Sequence, residues 1–374
     1  MSILKKASAG LVCAAMTVTL ASCSLGGPDS SYAAVIDGEK IPAGVFIAMQ
    51  YDAYYNAMFY TDPAETTVTT SSSDAAAETT ATPFADKTIE GKSVREWIND
   101  EATAEMQKYA AVEKKFDELG LVFTENEPKQ VELYIESLWE YYGEMYESFG
   151  VAQSSLNAIT LNSEKKNLIF KHYYGEGGEK AVSADEIRQY LTDNNARINY
   201  FAIELKDSEG NLLKSEGKSE MQAKADEYIE RAKSGEDFNS IIHEYQDSIN
   251  TSAEAAAETT AADEDHSTHG HETVITKNGA APDLAVVTKV FDGSVSAGDY
   301  FTIESTNGET LYVVQCLDLF ADETYYETNY DAALNALKGE EFEAEIESWI
   351  TSQTVERNQA AYDRYKYEKF ESAE

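Results

Sequence analysis

Residues Ile198–Leu205 read Ile-Asn-Tyr-Phe-Ala-Ile-Glu-Leu, and at this stretch a helical pattern gives way to strands. Such a dense run of β-branched and aromatic residues predicts a strand. An amphipathic helix at Ser219–Lys233, a short helix around Ile241 and a closing strand at Leu311–Leu317 follow it. This order of elements predicts a small α+β domain over residues 196–320.

The sequence on both sides of this domain is predominantly helical in pattern. After a short strand with an Asp-Gly turn at Ala34–Lys40, apolar residues recur at helical spacing. The predicted helices are Ala43–Tyr60, Val94–Leu119, Leu133–Phe149, Leu156–Tyr174 and a shorter one that is capped by Ser183–Glu186 and runs to Leu191, with a return to helix over Tyr330–Glu374. We therefore predict an α+β fold in which residues 34–195 and 321–374 form one helical lobe, built from N- and C-terminal segments.

Two segments of low complexity interrupt this plan. Residues 62–85 and 250–272 each contain the heptad Ala-Ala-Ala-Glu-Thr-Thr-Ala, at Ala75–Ala81 and Ala255–Ala261. Their Ser/Thr/Ala/Glu composition buries too little apolar area to offset the entropy of ordering. Both are predicted to be disordered inserts.

The N-terminal residues predict export and a lipid anchor. Lys5 and Lys6 precede an apolar stretch that is short for a membrane-spanning helix, as in a signal peptide over residues 1–22. The stretch ends in Leu20–Cys23, which is similar to a bacterial lipobox, so Cys23 is the predicted lipidation site and residues 23–33 a tether. The expected location is extracytoplasmic, at the cell membrane. Cys316 is then the only free thiol, because Cys13 leaves with the signal.

Charge excludes one class of partner. Across 374 residues, Asp and Glu total 68 against 29 Lys and Arg, a formal net charge of −39. Such acidity repels phosphate, so nucleic acid is not an expected partner.

Three short motifs carry a resemblance to a known family. Lys233–Phe238 (Lys-Ser-Gly-Glu-Asp-Phe), Glu244–Ser248 (Glu-Tyr-Gln-Asp-Ser) and Gly293–Ser296 resemble stretches of parvulin-type prolyl isomerases, or rotamases. The whole layout, from the lipobox to the last helix, resembles the extracytoplasmic foldases PrsA and SurA. This resemblance implies a chaperone that binds unfolded secreted polypeptides and carries an isomerase-like domain.

The residues at the isomerase site depart from the family pattern. Ala202 and Tyr312 stand at the positions of the two family histidines, Ser248 beside Asp247 at the Asp/Cys position, and Leu284 at the Phe position. With Tyr200, these residues form the candidate peptide-binding groove, and no catalytic residue is assigned. These departures from the family pattern imply weak or absent isomerase activity. The alternative is an active prolyl isomerase that uses Tyr312, Ser248 and Asp247.

Aromatic side chains in the helical lobe predict a second contact surface for unfolded segments. Tyrosine offers a large apolar area with a polar edge. The residues concerned are Tyr54, Tyr55, Phe59, Tyr134, Tyr141, Tyr142 and Tyr146. Packing within the helical lobe is the competing expectation for each of them.

A histidine-containing segment supports an alternative of another class. His266, His269 and His271 have side chains that ligate Zn²⁺ or Cu²⁺, which would suit a solute- or metal-binding lipoprotein. The leading prediction includes no metal and no cofactor. Its partners are secreted polypeptides, the membrane and, as a further candidate, a second copy of the chain.

Overall fold

The computed structural model describes residues 29–60, 83–254, 272–322 and 324–373. The chain divides into two compact units, which we call the helical unit (residues 1–169 and 346–374) and the sheet unit (residues 170–345). These limits are wider for the sheet unit than the 196–320 expected from sequence, because flanking helical segments belong to it. The lipidation site Cys23 and most of both predicted inserts lie outside the described residues.

The helices and strands alternate along the chain as follows. The helices are α1 (Ala43–Tyr60), α2 (Val94–Glu118), α3 (Asn126–Phe149), α4 (Gln153–Tyr174), α5 (Ala184–Asn194), α6 (Ser215–Lys233), α7 (Phe238–Glu254), α8 (Leu284–Phe291), α9 (Thr324–Ile350) and α10 (Gln359–Arg364). The strands are β1 (Tyr32–Ile36), β2 (Glu39–Pro42), β3 (Thr88–Ile89), β4 (Lys92–Ser93), β5 (Asn195–Glu204), β6 (Thr273–Thr276), β7 (Tyr300–Glu304), β8 (Thr310–Leu317) and β9 (Val355–Arg357). The predicted α+β class, with a helical lobe drawn from both ends of the chain, is confirmed.

The helical unit closes around a sheet whose strands are far apart in sequence. β1 lies between β2 and β9, and all pairings are antiparallel. The turn from β1 to β2 is Asp37-Gly38, where φ is 50° and 92°, as a tight hairpin of right-handed twist requires. β9 pairs through Ala34 opposite Arg357, so the last part of the chain completes the first sheet.

The core of this unit is rich in aromatic rings from the same two ends. Phe46 of α1 packs on Tyr362 of α10 with ring centroids 4.5 Å apart. Phe370, in the 3₁₀ helix Tyr367–Ala373, lies 4.9 Å from Phe149 by the same measure. The expectation that Tyr330–Glu374 is helix throughout is wrong, since a strand and a short helix follow α9.

The sheet unit is built on a four-stranded antiparallel sheet in the order β6-β5-β8-β7. β5 pairs along its length with β8, from Arg197 opposite Leu317 to Glu204 opposite Thr310. A capping box at Ser183 and Glu186 starts α5, as the sequence predicts, and α5 leads directly into β5. Residues 170–174 of α4 and 324–345 of α9 complete the unit, and the buried Tyr174 donates a hydrogen bond to Glu345 at 2.7 Å.

Candidate functional site

The four-stranded sheet has two faces of different character. On the first, which we call the closed face, Phe201, Ile203, Leu311 and Val313 are buried against α6 and α7. The ring of Phe201 lies 5.0 Å from that of Tyr245 and 5.5 Å from that of Tyr228, centroid to centroid. Alternation along a strand sends the intervening residues to the opposite side.

That opposite side, the open face, is covered by a helix over only part of its area. Val286 and Val287 of α8 are buried with Ile198, Val314 and Cys316. Burial in this apolar cluster raises the pKa of the Cys316 thiol to about 11, so the thiol is protonated at neutral pH.

Further along the same face lie three of the predicted site residues. Ala202 is directly opposite Tyr312 in the pairing of β5 with β8, and Ala202 is exposed. The ring of Tyr200 meets that of Tyr312 edge to face, with centroids 5.9 Å apart. A pair of phenol rings therefore occupies the open end of this face.

A groove of about 400 Å³ adjoins the phenol pair. Its lining consists of Tyr200, residues 272–276 around β6, and Gly279–Pro282. β6 is an edge strand, so one side of its backbone is free of sheet pairing within the described sheet. The Tyr312 hydroxyl donates a hydrogen bond to the Pro282 carbonyl at 3.4 Å, which connects the groove to the phenol pair.

The groove carries little net charge. Desolvation raises the pKa of Tyr312, and the nearby Asp283 and Tyr200 raise it further, so its phenol stays neutral and can donate a hydrogen bond. The one carboxylate in the lining, that of Glu272, pairs with Arg197. This composition suits binding of an uncharged, extended segment by contact area and backbone hydrogen bonds.

Asp283, an acidic residue beside the groove, has a structural role. Asp283 caps α8 by accepting from the Ala285 N–H at 2.8 Å, and it also accepts from the backbone and hydroxyl of Thr306, each at 3.0 Å. Desolvation opposes ionisation of Asp283, but these hydrogen bonds outweigh it and lower its pKa. Asp283 thus fixes the start of α8, where the predicted wall residue Leu284 is more than half exposed.

The structure brings some predicted residues together and leaves others apart. Tyr200, Ala202 and Tyr312 share the open face, and Leu284 is the first residue of α8, two residues after Pro282 of the groove. Asp247 and Ser248 lie on α7, whose apolar side packs on the closed face. The Ser248 hydroxyl donates to the Tyr245 carbonyl at 2.6 Å.

Sequence reasoning did not identify β6 as part of the site. The short run Thr273–Thr276, Thr-Val-Ile-Thr, carries the β-branched signal of a strand but stands beside the predicted insert, so it was not assigned.

The aromatic residues predicted for the helical lobe divide between core and surface. Tyr54 is buried and Tyr146 is half-buried, whereas Phe59 is 82% and Tyr141 77% exposed. Tyr55, Tyr134 and Tyr142 are exposed as well. Tyr60, which sequence reasoning passed over, is 65% exposed. Packing therefore accounts for two of the seven, and five present rings to solvent.

Two findings concern metals and membranes. His266, His269 and His271 lie outside the described residues, and among those described no group of three His, Cys, Asp or Glu is arranged to hold a metal ion. In the part of the chain that the structure describes, every helix falls short of the combined length and apolarity that a membrane span needs.

Three solved structures of PrsA foldases are similar to this chain at low identity. The foldase protein PrsA from Streptococcus pneumoniae is 14% identical, with 74% of this chain and 98% of that chain covered, at a TM-score of 0.28. The one from Lactococcus lactis is 10% identical, covering 91% and 99%, at 0.33. PrsA from Bacillus subtilis is 13% identical, covering 77% and 90%, at 0.22.

No family model matches the chain, and no curated protein matches it either.

Proposed function

We propose that the protein is a membrane-anchored extracytoplasmic folding factor that binds unfolded secreted polypeptides, with an isomerase-like domain of weak or no activity. The observation that carries the proposal is the open face of the four-stranded sheet. There an edge strand, a phenol pair and a neutral groove stand together, with Ala202 directly opposite Tyr312. Such a site offers backbone hydrogen bonds to an extended segment and contact area to its apolar side chains.

The same geometry supports the proposal of weak catalysis. Rotation about an X-Pro bond has a barrier of about 20 kcal/mol, and a catalyst must bind the twisted amide more tightly than the planar one. Tyr312 offers one neutral hydroxyl, and that hydroxyl already donates to Pro282. Ala202 offers no polar group. The open face and the groove beside it therefore have the means to hold a peptide but few means to favour its twisted form.

The alternative of an active isomerase based on Tyr312, Ser248 and Asp247 is not favoured. It needs those residues at one substrate bond. α7, which carries Asp247 and Ser248, packs on the closed face, whereas Tyr312 lies on the open face.

Aggregation suppression tests the chaperone part of the proposal. A denatured reporter enzyme diluted into buffer aggregates, and stoichiometric full-length protein is expected to reduce the light scattering. The same preparation is assayed with an Ala-Pro peptide, whose uncatalysed isomerisation takes tens to hundreds of seconds. Undiminished scattering would refute the chaperone proposal, and a large rate increase that is lost in Tyr312→Phe would restore the isomerase alternative.

The anchor is tested separately. Cys23→Ser is expected to move the protein from the membrane fraction to the soluble fraction, because a lipobox cysteine is the acylated residue. Retention of the variant in the membrane fraction would show that Cys23 is not the anchor.

A further inference from the structure

One surface of the helical unit combines exposed aromatic rings with carboxylates. On α1, Asp52, Tyr55 and Phe59 follow one another at helical spacing and are all exposed. On α2, Glu101 and Glu105 lie one turn apart and are also exposed. We call these five residues the acidic aromatic face.

The five residues are neighbours in space as well as in pattern. α1 packs against α2, and the ring of Tyr60 lies 6.5 Å from that of Trp97, one turn before Glu101. Asp52 lies close enough to Glu105 for the two charges to interact. The ring of Tyr55 stands 5.0 Å from that of Tyr51, which in turn contacts Tyr146 of α3. The face is therefore continuous across α1 and α2 and borders α3.

Its negative charge is incompletely balanced. Desolvation and then Glu105 raise the pKa of Asp52, and the same two causes lead the rise in the pKa of Glu101. Both carboxyls are nevertheless exposed to solvent, so a ligand can reach them. Two cations lie near these carboxylates, and both are shared with other acidic groups: Lys108 pairs with Glu105 at 3.1 Å and with Glu347 at 3.0 Å, and Lys92, which acts on Glu101, pairs with Asp100 at 2.7 Å.

We propose that the acidic aromatic face binds Arg- and Lys-bearing segments of unfolded polypeptides. This inference rests on the proposed chaperone function and names the class of client segment that the helical unit prefers. Charge complementarity selects the occupant, because a cationic side chain relieves the repulsion between Asp52, Glu101 and Glu105, whereas an acidic segment adds to it. Tyr55 and Phe59 supply ring faces over which a guanidinium or ammonium group stacks while it contacts a carboxylate.

A matched pair of labelled peptides tests the proposal with the full-length protein. One is an unstructured peptide containing Tyr, Leu and Arg, and the other is identical except that every Arg is Gln. Fluorescence anisotropy gives both affinities. An exposed ion pair changes affinity by up to about five-fold, so a peptide with several arginines is expected to bind about ten-fold tighter than its Gln counterpart. Raising the salt to about 0.15 M, where the Debye length is about 8 Å, should reduce the difference.

Three variants locate the effect. Asp52→Asn with Glu101→Gln is expected to remove most of the preference for the Arg peptide. The matched control, Glu216→Gln with Glu220→Gln on α6, makes the same change in net charge at an exposed site of the sheet unit and is expected to leave the preference intact. Phe59→Ser removes an exposed ring and should weaken the binding of both peptides by similar factors.

The outcomes separate this inference from the proposed function. The proposal for the acidic aromatic face is overturned if the two peptides bind with equal affinity, or if the control variant loses the preference for the Arg peptide to the same extent. Either result counts even if aggregation of the denatured reporter is still suppressed. If neither peptide binds and aggregation is not suppressed, the chaperone proposal falls as well. A preference for the Arg peptide that disappears only in the α1 and α2 variant supports the inference.

Discussion

The core of the helical unit joins residues from both ends of the chain, whereas the sheet unit takes its core from one continuous segment. In the first, β1 pairs with β9 and Phe46 packs on Tyr362. In the second, β5 and β8 pair within residues 195–317. Loss of the last residues of the chain should therefore damage the two units unequally.

The largest expected effect comes from ending the chain at Ile350. This deletion removes β9, α10 and the buried rings of Tyr362, Tyr367 and Phe370. Each large buried aromatic contributes about 3–5 kcal/mol, against a usual domain stability of about 5–15 kcal/mol. We expect the helical unit to unfold, with loss of hydrogen-exchange protection in α1. Protected α1 amides in the truncated chain would contradict the shared core.

A core substitution in the sheet unit should have the second largest effect. Phe201 is buried on the closed face among Tyr228, Phe238 and Tyr245. Phe201→Ala is expected to cost about 3–5 kcal/mol through lost contacts and a cavity, read as faster exchange of β5 and β8 amides. Leu212→Ala, which shortens a half-exposed side chain of the same unit, is the control. Equal effects of the two changes would argue against the packing described.

Removing a single buried hydroxyl should cost the helical unit a smaller amount of stability. The Tyr362 hydroxyl lies 2.7 Å from that of Thr103, which itself donates to the Asn99 carbonyl at 2.6 Å. Tyr362→Phe keeps the ring and removes this link between α10 and α2, so we expect a loss of about 1 kcal/mol in denaturant unfolding. Tyr60→Phe, at an exposed ring, should change nothing measurable.

The smallest effect concerns the carboxyl of Asp52, whose pKa is raised above its ordinary value of 3.8. The folded state then binds more protons than the unfolded state between 3.8 and the raised pKa, so stability falls as pH increases through that window and is lower above it. Because Asp52 is exposed, Asp52→Asn is expected to stabilise the helical unit at neutral pH by no more than about 0.5 kcal/mol. Thermal melts at acidic and neutral pH measure this, and a destabilised variant would contradict the sign.

Much of the fold could be predicted from local sequence. The dense apolar run near Phe201 located β5, and the residues Ser183 and Glu186 located the start of α5. β9 was missed because three residues, Val-Glu-Arg, carry no periodic signal, and their strand state depends on pairing with β1. The domain limits also depend on tertiary packing, which no single segment encodes.

The candidate site was predictable where it depends on strand register. Once β5 and β8 are aligned, Ala202 and Tyr312 must share a face. The places of Asp247 and Ser248 could not be inferred in this way, since they depend on which side of the sheet α7 packs. The prediction that Asp247 and Ser248 contribute to peptide binding stays untested.

The pairing of β1 with β9 also bears on how the protein is made. A polypeptide is made N-terminus first, so β1 and its neighbour β2 exist long before the second partner of β1, the strand β9. During that interval one edge of β1 is unpaired, and the pocket later filled by Tyr362 and Phe370 is vacant. Until its final segment is present, the helical unit thus exposes apolar surface of the kind that a folding factor binds in other chains.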